Sequence, residues 1–157
     1  MAESNTRPVR AGDEDELVPM WSALWPLGTP DEHRESIVGY IAGNPGTPMN
    51  ASLLVYERAN GRLGGFAELG LRSVAEGAWG HTPVGYLEGI FVDEDLRRQG
   101  VGMLLVQAAG RWAKERGCWD LASDALLENV DSHRFHESAG FAEVERAVHY
   151  VQALREE

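Results

Sequence analysis

The longest apolar run in the chain, Val84 to Val92 (V-G-Y-L-E-G-I-F-V), is bounded by Asp93-Glu94-Asp95 and reads as a strand. A polar loop, Arg97-Arg98-Gln99-Gly100-Val101-Gly102, leads from it into a helix. There Val101, Leu104, Leu105, Ala108 and Trp112 recur at helical spacing. Ahead of this centre, Pro8 to Ala11 predicts a short strand. A helix with Leu17, Met20, Trp21 and Leu24 on its apolar face follows. Asp13 and Glu16 have capping-box spacing, Pro19 predicts a kink or restart, and Trp25 to Gly28 ends the helix. Thr29-Pro30-Asp31-Glu32 opens a second helix that carries Ile37, Val38 and Ile41 inward and stops at Gly43-Asn44-Pro45-Gly46. Ala51 to Tyr56 reads as a core strand, and Asn60-Gly61 turns it into an antiparallel return over Leu63 to Leu71. Arg72 to Pro83 is a polar loop. After the central helix, Trp119 to Ala125 reads as a strand. Asp131 or Ser132 caps a short helix through Ala139, Gly140 stops it, and Glu143 to Ala153 predicts a last strand. The elements specify one mixed α/β domain over residues 1–157, with no repeat, low-complexity tract or linker.

Composition narrows the class. A length of 157 residues with 43% hydrophobic content suits a single core. No apolar stretch approaches the ~18 residues of a membrane helix, and Met1 to Arg10 lacks the apolar core of a signal peptide. Cys118 is the only cysteine, which fits a reducing cytoplasm; nothing around it is arranged to activate a thiol. Net charge is −11, from 25 acidic against 14 basic side chains. Such a surface repels nucleic acid and draws in cations.

Two groups of residues carry chemistry. The first is the strand–loop–helix junction. A helix N-terminus presents unpaired N–H groups and a partial positive charge, and glycines let an anion approach the backbone. Arg97, Arg98, Gln99, Gly100, Val101 and Gly102 therefore form a candidate pyrophosphate cradle. The second is a set of carboxylates on the later strands: Glu88 within the most apolar strand, Asp124 near the end of W-D-L-A-S-D-A, and Glu145 early on the last strand. A carboxylate in an apolar strand needs a partner or a task. By alternation Glu88 shares a face with Tyr86 and Ile90. If Glu88 and Asp124 flank the point where their strands splay, they converge on one cleft. Ion pairs to Arg97, Arg134 or Arg146 are the structural alternative. His133 and His136 stand three apart, but no further ligand at a plausible spacing makes a metal site.

Arg97-x-x-Gly100-x-Gly102 after a strand resembles the acyl-CoA loop of the GNAT superfamily of N-acetyltransferases, and it lacks the Gly-Lys-Ser/Thr of a nucleotide P-loop. Y-L-E-G-I-F-V, R-R-Q-G-V-G, A-S-D-A-L-L-E-N-V-D-S-H, H-E-S-A-G-F and the early L-W-P are most similar to the aminoglycoside 6'-N-acetyltransferases within it. The resemblance implies the GNAT fold: a mixed, mostly antiparallel sheet with a splayed central strand pair and flanking helices. It implies acetyl-CoA as co-substrate, no metal, and a cytoplasmic homodimer built by pairing last strands. It also implies an acceptor pocket lined by Trp25, Glu88, Asp124 and Glu145. Where most of the superfamily places a tyrosine as acid to the leaving thiolate, this chain has His136, with Tyr150 an open alternative. Related enzymes carry an aromatic near Ala75-Glu76; Trp79 is its candidate substitute.

The reaction implied is direct acetyl transfer to the 6'-amine of an aminoglycoside, which confers resistance to the drug. Pantetheine would run along Ile90, Phe91 and Val92 towards the Leu121–Ala125 strand, with Asn129 holding an amide. Glu88 or Asp124 would accept the amine's proton, and a backbone N–H of Phe91 or Val92, freed by a bulge at Gly89, would meet the oxyanion. Acetylation of another polycationic amine or a protein N-terminus, and a non-catalytic acyl-CoA sensor, are the readings left open.

Overall fold

A computed structural model describes residues 5–43 and 51–155. Within it the chain divides into two compact units, residues 1–124 and 125–157. The first holds a five-stranded sheet in sequential order: β1 (Thr6–Pro8), β2 (Ala51–Glu57), β3 (Leu63–Arg72), β4 (Val84–Val92) and β5 (Leu121–Ser123). All neighbours are antiparallel except β4 and β5, which run parallel. Helices α1 (Glu14–Leu24) and α2 (Pro30–Ala42) join β1 to β2, and α3 (Val101–Glu115) joins β4 to β5.

One face of the sheet carries the main core. Leu53, Val55 and Phe66 point to it from β2 and β3 and meet Leu17, Met20 and Trp21 of α1 and Ile37 of α2. Trp21 stacks on Phe66 with ring centroids 5.0 Å apart. Each such side chain contributes about 1.5–3 kcal/mol on burial. The α3 side packs closely because Gly85 has no Cβ: one added there would lie 2.7 Å from the Ala113 Cβ. Val101, Leu105, Ala108 and Trp112 of the expected stripe are buried, and Leu104 lies at its margin.

Several expectations need correction. The first strand lies at Thr6–Pro8, not Pro8–Ala11, because Thr6, Arg7 and Pro8 take the register opposite Tyr56, Val55 and Leu54. Asp13 precedes α1 but makes no capping bond. Its carboxylate accepts instead from both Arg7 terminal nitrogens, at 2.8 and 2.9 Å, and from the Arg10 N–H. The long-range guanidinium outcompetes a local N–H. Pro19 neither ends nor restarts α1, which runs unbroken through it. The second helix start is as expected, a full capping box between Thr29 and Glu32 with Pro30 in the first turn; Gly43 ends it in the left-handed region, and Asn44 to Gly46 lie outside the described residues. Val38 faces solvent while Ile37 is fully buried. The fifth strand is only Leu121–Ser123; Trp119 lies before it, exposed and stacked on His81 at 3.4 Å.

The second unit contains α4 (Val130–Ser138). Its cap is Asn129, not Asp131 or Ser132: the Asn129 side-chain oxygen accepts from the Ser132 N–H at 3.1 Å. Gly140 then takes a φ of 92°. The last strand expected over Glu143–Ala153 does not form; Val144, Val148, Tyr150, Val151 and Leu154 are all exposed. A strand is defined by a hydrogen-bonded ladder, and this segment forms none with another described strand. No helix among them is long and apolar enough to cross a membrane.

Candidate active site

The site begins with a register error in the sheet. Leu69 pairs with Leu87 and Glu68 with Gly89, so Glu88 is an extra residue on β4 with no partner on β3. The bulge is therefore at Glu88 itself, one residue before the expected Gly89. It has two consequences. Alternation is broken, so Ile90 pairs with Ala67 on the opposite face from Tyr86, and Phe91 instead stacks towards Phe66. Glu88 also reaches solvent rather than lying buried, which removes the desolvation cost expected of it.

Beyond the bulge, no described strand pairs with the second edge of β4, which is bare of strand partners. Its pairing with β5 covers only Gly85, Tyr86 and Leu87 against Leu121, Ala122 and Ser123. The Ser123 hydroxyl donates to the Leu87 carbonyl at 3.1 Å at the fork. The Asp93 N–H bonds the Gly64 carbonyl at 2.8 Å. Antiparallel alternation then turns the Phe91 N–H towards β3 as well, and leaves the N–H groups of Ile90 and Val92 facing the bare edge. Of the two oxyanion donors expected, only Val92 faces that edge. Arg97 lies on the same side, its Nε donating to the Val92 carbonyl at 2.9 Å.

The loop that follows is built as expected for an anion. Gly100 caps α3 at φ 84° and Arg98 takes φ 61°, a paired turn of the backbone. A Cβ at Gly100 would have no heavy atom within 4 Å, so the space before it is open. Leu104 is the first amide of the helix to find a carbonyl, that of Gly100 at 3.0 Å. The amides of Val101, Gly102 and Met103 have no acceptor within the helix and point out of its N-terminus. Gln99 stiffens the loop through a bond from its amide nitrogen to the Asp95 carbonyl. Bare strand edge, fork and open amide cradle together fit an acyl-CoA, with pantetheine as an added strand and pyrophosphate at the helix.

Beside the bulge, on the α1 face, carboxylates and rings gather. Gly89 brings the backbone against Trp25: a Cβ there would lie 2.5 Å from the indole. Asp124 accepts from the Tyr86 hydroxyl at 2.5 Å. Glu88 accepts from Arg72, from the terminal nitrogen at 2.9 Å and from Nε at 3.3 Å. The Arg72 guanidinium carbon sits 3.3 Å from the centre of the Tyr86 ring. Glu68 accepts from the Tyr40 hydroxyl at 2.8 Å. Burial pushes the Glu68 carboxyl above its ordinary range and the neighbouring Glu88 charge adds to that, while the Tyr40 bond opposes it. Burial also pushes the Tyr40 and Tyr86 hydroxyls well up, so both remain donors.

Glu88 and Asp124 are linked through Arg72 and Tyr86, and Trp25 lies against Gly89, the residue after Glu88. The ion-pair partner of Glu88 is Arg72, not any of the arginines first considered: Arg97 bonds a carbonyl, Arg134 faces Asp131 and Arg146 pairs with Glu143. Trp79 lies exposed on the loop before β4. Tyr40, Glu68 and Arg72 were not anticipated. Glu68 had a signal, since it is the one ionisable residue inside L-G-G-F-A-E-L-G-L.

The remaining candidates lie in the second unit. His136 donates from Nδ1 to the Ser132 carbonyl at 2.7 Å and meets the Phe135 and Phe141 rings edge-on. With Nδ1 so engaged, His136 donates to another group only from Nε2, which requires the imidazolium. Asn129 spends its side-chain oxygen on the helix cap. Glu145 and Tyr150 lie exposed on the segment after α4. Among the described residues no three His, Cys, Asp or Glu side chains gather as metal ligands. Cys118 is buried, and burial raises its thiol, which suits packing rather than attack.

Comparison with known proteins gives the family. The sequence model of the acetyltransferase (GNAT) family matches residues 10–141. The chain is 42% identical over 138 residues to the aminoglycoside N(6')-acetyltransferase type 1 of Klebsiella aerogenes, covering 88% of this chain and 89% of the relative. It is 39% identical to that of Serratia marcescens, covering 89% and 92%. Among solved structures, the apo aminoglycoside antibiotic 6'-N-acetyltransferase AAC(6')-IG of Acinetobacter haemolyticus superposes with a TM-score of 0.84 at 28% identity, covering 96% of this chain and 99% of that one. AAC(6')-Iy in complex with the bisubstrate analogue CoA-S-monomethyl-acetylneamine does so at 0.83 and 28% identity, covering 94% and 97%.

Proposed function

The chain belongs to the acetyltransferase (GNAT) family, and on that premise we propose that it transfers acetyl from acetyl-CoA to the 6'-amine of aminoglycosides. The observation that carries the acceptor class is the cleft at the Glu88 bulge. Three carboxylates, Glu68, Glu88 and Asp124, and three rings, Trp25, Tyr40 and Tyr86, lie beside a bare strand edge. A polyammonium sugar offers charge to the carboxylates and ring faces to the aromatics, whereas an anionic or apolar acceptor would leave the carboxylates uncompensated.

The amide cradle of Arg98 to Gly102, with Arg97, binds the CoA pyrophosphate, and the edge of Ile90 to Val92 aligns the pantetheine. The acceptor amine attacks the thioester carbonyl; its C–N bond forms as the C–S bond breaks. Glu88 or Asp124 takes the amine proton, directly or through water, and the Val92 or Ile90 N–H meets the oxyanion. The Tyr86 hydroxyl orients Asp124 for this role. On its place in the motif, His136 as imidazolium supplies the proton to the departing thiolate, with Tyr150 the alternative. Asn129, Glu145 and Trp79 are assigned on the same ground, to the pantetheine amide and the acceptor. The chain acts in the cytoplasm as one catalytic domain. It pairs as a homodimer, for which the exposed Val144, Val148 and Tyr150 provide a surface.

A thiol-release assay with acetyl-CoA tests the reaction. Kanamycin or tobramycin, each with a 6'-amine, releases CoA thiol, and an analogue with a 6'-hydroxyl does not. Equal release from both puts the acetylation elsewhere.

A further inference from the structure

The cation already inside the acceptor cleft is Arg72. It stands at the end of β3, just before the loop that leads to β4, and turns back over the cleft. Its guanidinium makes two contacts with Glu88 and sits over the Tyr86 ring, whose hydroxyl in turn bonds Asp124. These are the contacts a substrate ammonium would seek: a carboxylate oxygen and an aromatic face. Among the described residues, the side-chain partners of Arg72 are Glu88 and Tyr86. Its side chain is 44% exposed and the pair with Glu88 reaches solvent, so it contributes little to folding.

We propose that Arg72 is a displaceable internal counterion that sets acceptor specificity. It neutralises Glu88 while the cleft is empty, and an acceptor must put its own ammonium in that place and move the guanidinium out. A weakly charged amine cannot do so efficiently, since it replaces a planar, two-point donor with a single point charge. A polyammonium acceptor can, because Glu68 and Asp124 hold its other charges while Glu88 changes partner. The charge on the acceptor is thereby read as a competition, not only as an attraction.

The inference rests on the acceptor site proposed above, and its test separates the two. Arg72→Gln and Arg72→Lys are compared with the wild-type enzyme by calorimetric binding of kanamycin and of glucosamine, a monoammonium sugar whose gain in Arg72→Gln exceeds that of kanamycin, and by acceptor KM at saturating acetyl-CoA. Arg72→Gln tightens Kd and lowers KM by about tenfold, since one exposed ion pair and one cation–π contact no longer have to be broken. The acetyl-CoA Kd does not move, and Arg72→Lys falls between. Kanamycin binding to Arg72→Gln also weakens more steeply with salt, because the cleft is one unit more negative. If Arg72 instead props Glu88 in place, Arg72→Gln raises KM and Arg72→Lys restores it; that result, or no change, overturns the proposal. Binding ratios answer this even with a ligand that is not turned over, whereas wild-type turnover of kanamycin reports on the acceptor assignment itself.

Discussion

Replacing Glu88 and Asp124 one at a time separates two jobs that a carboxylate can do in the cleft. Glu88 is solvent-accessible at the bulge and already holds a cation, Arg72, at 2.9 Å. It is placed to bind charge. Asp124 receives a short bond from the Tyr86 hydroxyl at the end of β5, next to the fork where the thioester would lie. It is placed to take a proton. Glu88→Gln removes one charge-assisted contact to the acceptor, about 1.5–3 kcal/mol, and leaves Arg72 unpaired facing it. Acceptor KM then rises roughly 10- to 150-fold with kcat nearly kept. Asp124→Asn keeps volume and still accepts from Tyr86, but cannot hold the proton, so kcat falls by about 100-fold with KM little changed. Folding should not confuse the reading. The Arg72–Glu88 pair is exposed and worth about 1 kcal/mol at most, a shift in Tm of about 2–4 °C for a chain of this size. Acetyl-CoA affinity, measured by calorimetry, stays at the wild-type value in both variants. The assay is steady-state thiol release against several 6'-amine acceptors. Wild-type kinetics in both variants with every acceptor would make these carboxylates structural; a kcat loss in Glu88→Gln with KM unchanged would exchange the two roles.

The amide cradle and the N-terminal ion pair give two further tests. Gly100→Asp places a charge and a Cβ into open space at φ 84°, and Gly100→Asn imposes the same left-handed strain, about 1–2 kcal/mol, without the charge. Acetyl-CoA Kd should weaken at least ~10-fold more in the aspartate variant; equal affinities would remove the pyrophosphate from this loop. Asp13→Asn loses a largely buried pair with Arg7 and costs about 1.5–3 kcal/mol near neutral pH, read from thermal unfolding. Burial works to raise the Asp13 pKa, but the Arg7 and Arg10 bonds overcome it and hold it below the ordinary value. A depressed carboxylate stabilises above its unfolded pKa and loses that contribution as pH falls through the folded one. The gap between wild type and variant therefore closes as pH drops below the usual aspartate range, and a gap that widens there would refute the pair.

What was legible in the sequence follows a physical division. Elements fixed by local chemistry were readable: the Thr29–Glu32 capping box, the Asn60-Gly61 turn and the Arg97–Gly102 loop all lie where their residues place them. Features decided by tertiary partners were not. Asp13 looked like a cap because its own helix was the only partner in view; Arg7 and β1 supplied a stronger one. Alternation along β4 was a sound rule until the bulge at Glu88, and that extra residue moved Ile90 to the other face while opening Glu88 to solvent. Burial arithmetic singled out Glu88, yet Glu88 is open to solvent. The same arithmetic applied to β3 would have found Glu68, which is the carboxylate that burial perturbs. Arg72 left no local trace, since an arginine ending a strand is ordinary. The stretch from Glu143 to Ala153 was expected as a strand, and a strand exists only where a ladder forms, which local sequence does not decide.

The central claim is that this fold delivers acetyl to one particular nitrogen. Incubating the enzyme with acetyl-CoA carrying a 13C-labelled acetyl group and kanamycin, then assigning the product by two-dimensional NMR, tests it directly. The account predicts a single amide at the 6' nitrogen, one thiol released per acetyl gained, and no product with the Glu88→Gln, Asp124→Asn double variant on the same timescale. An acetyl group on any other nitrogen, or thiol release without an acetylated sugar, would contradict it.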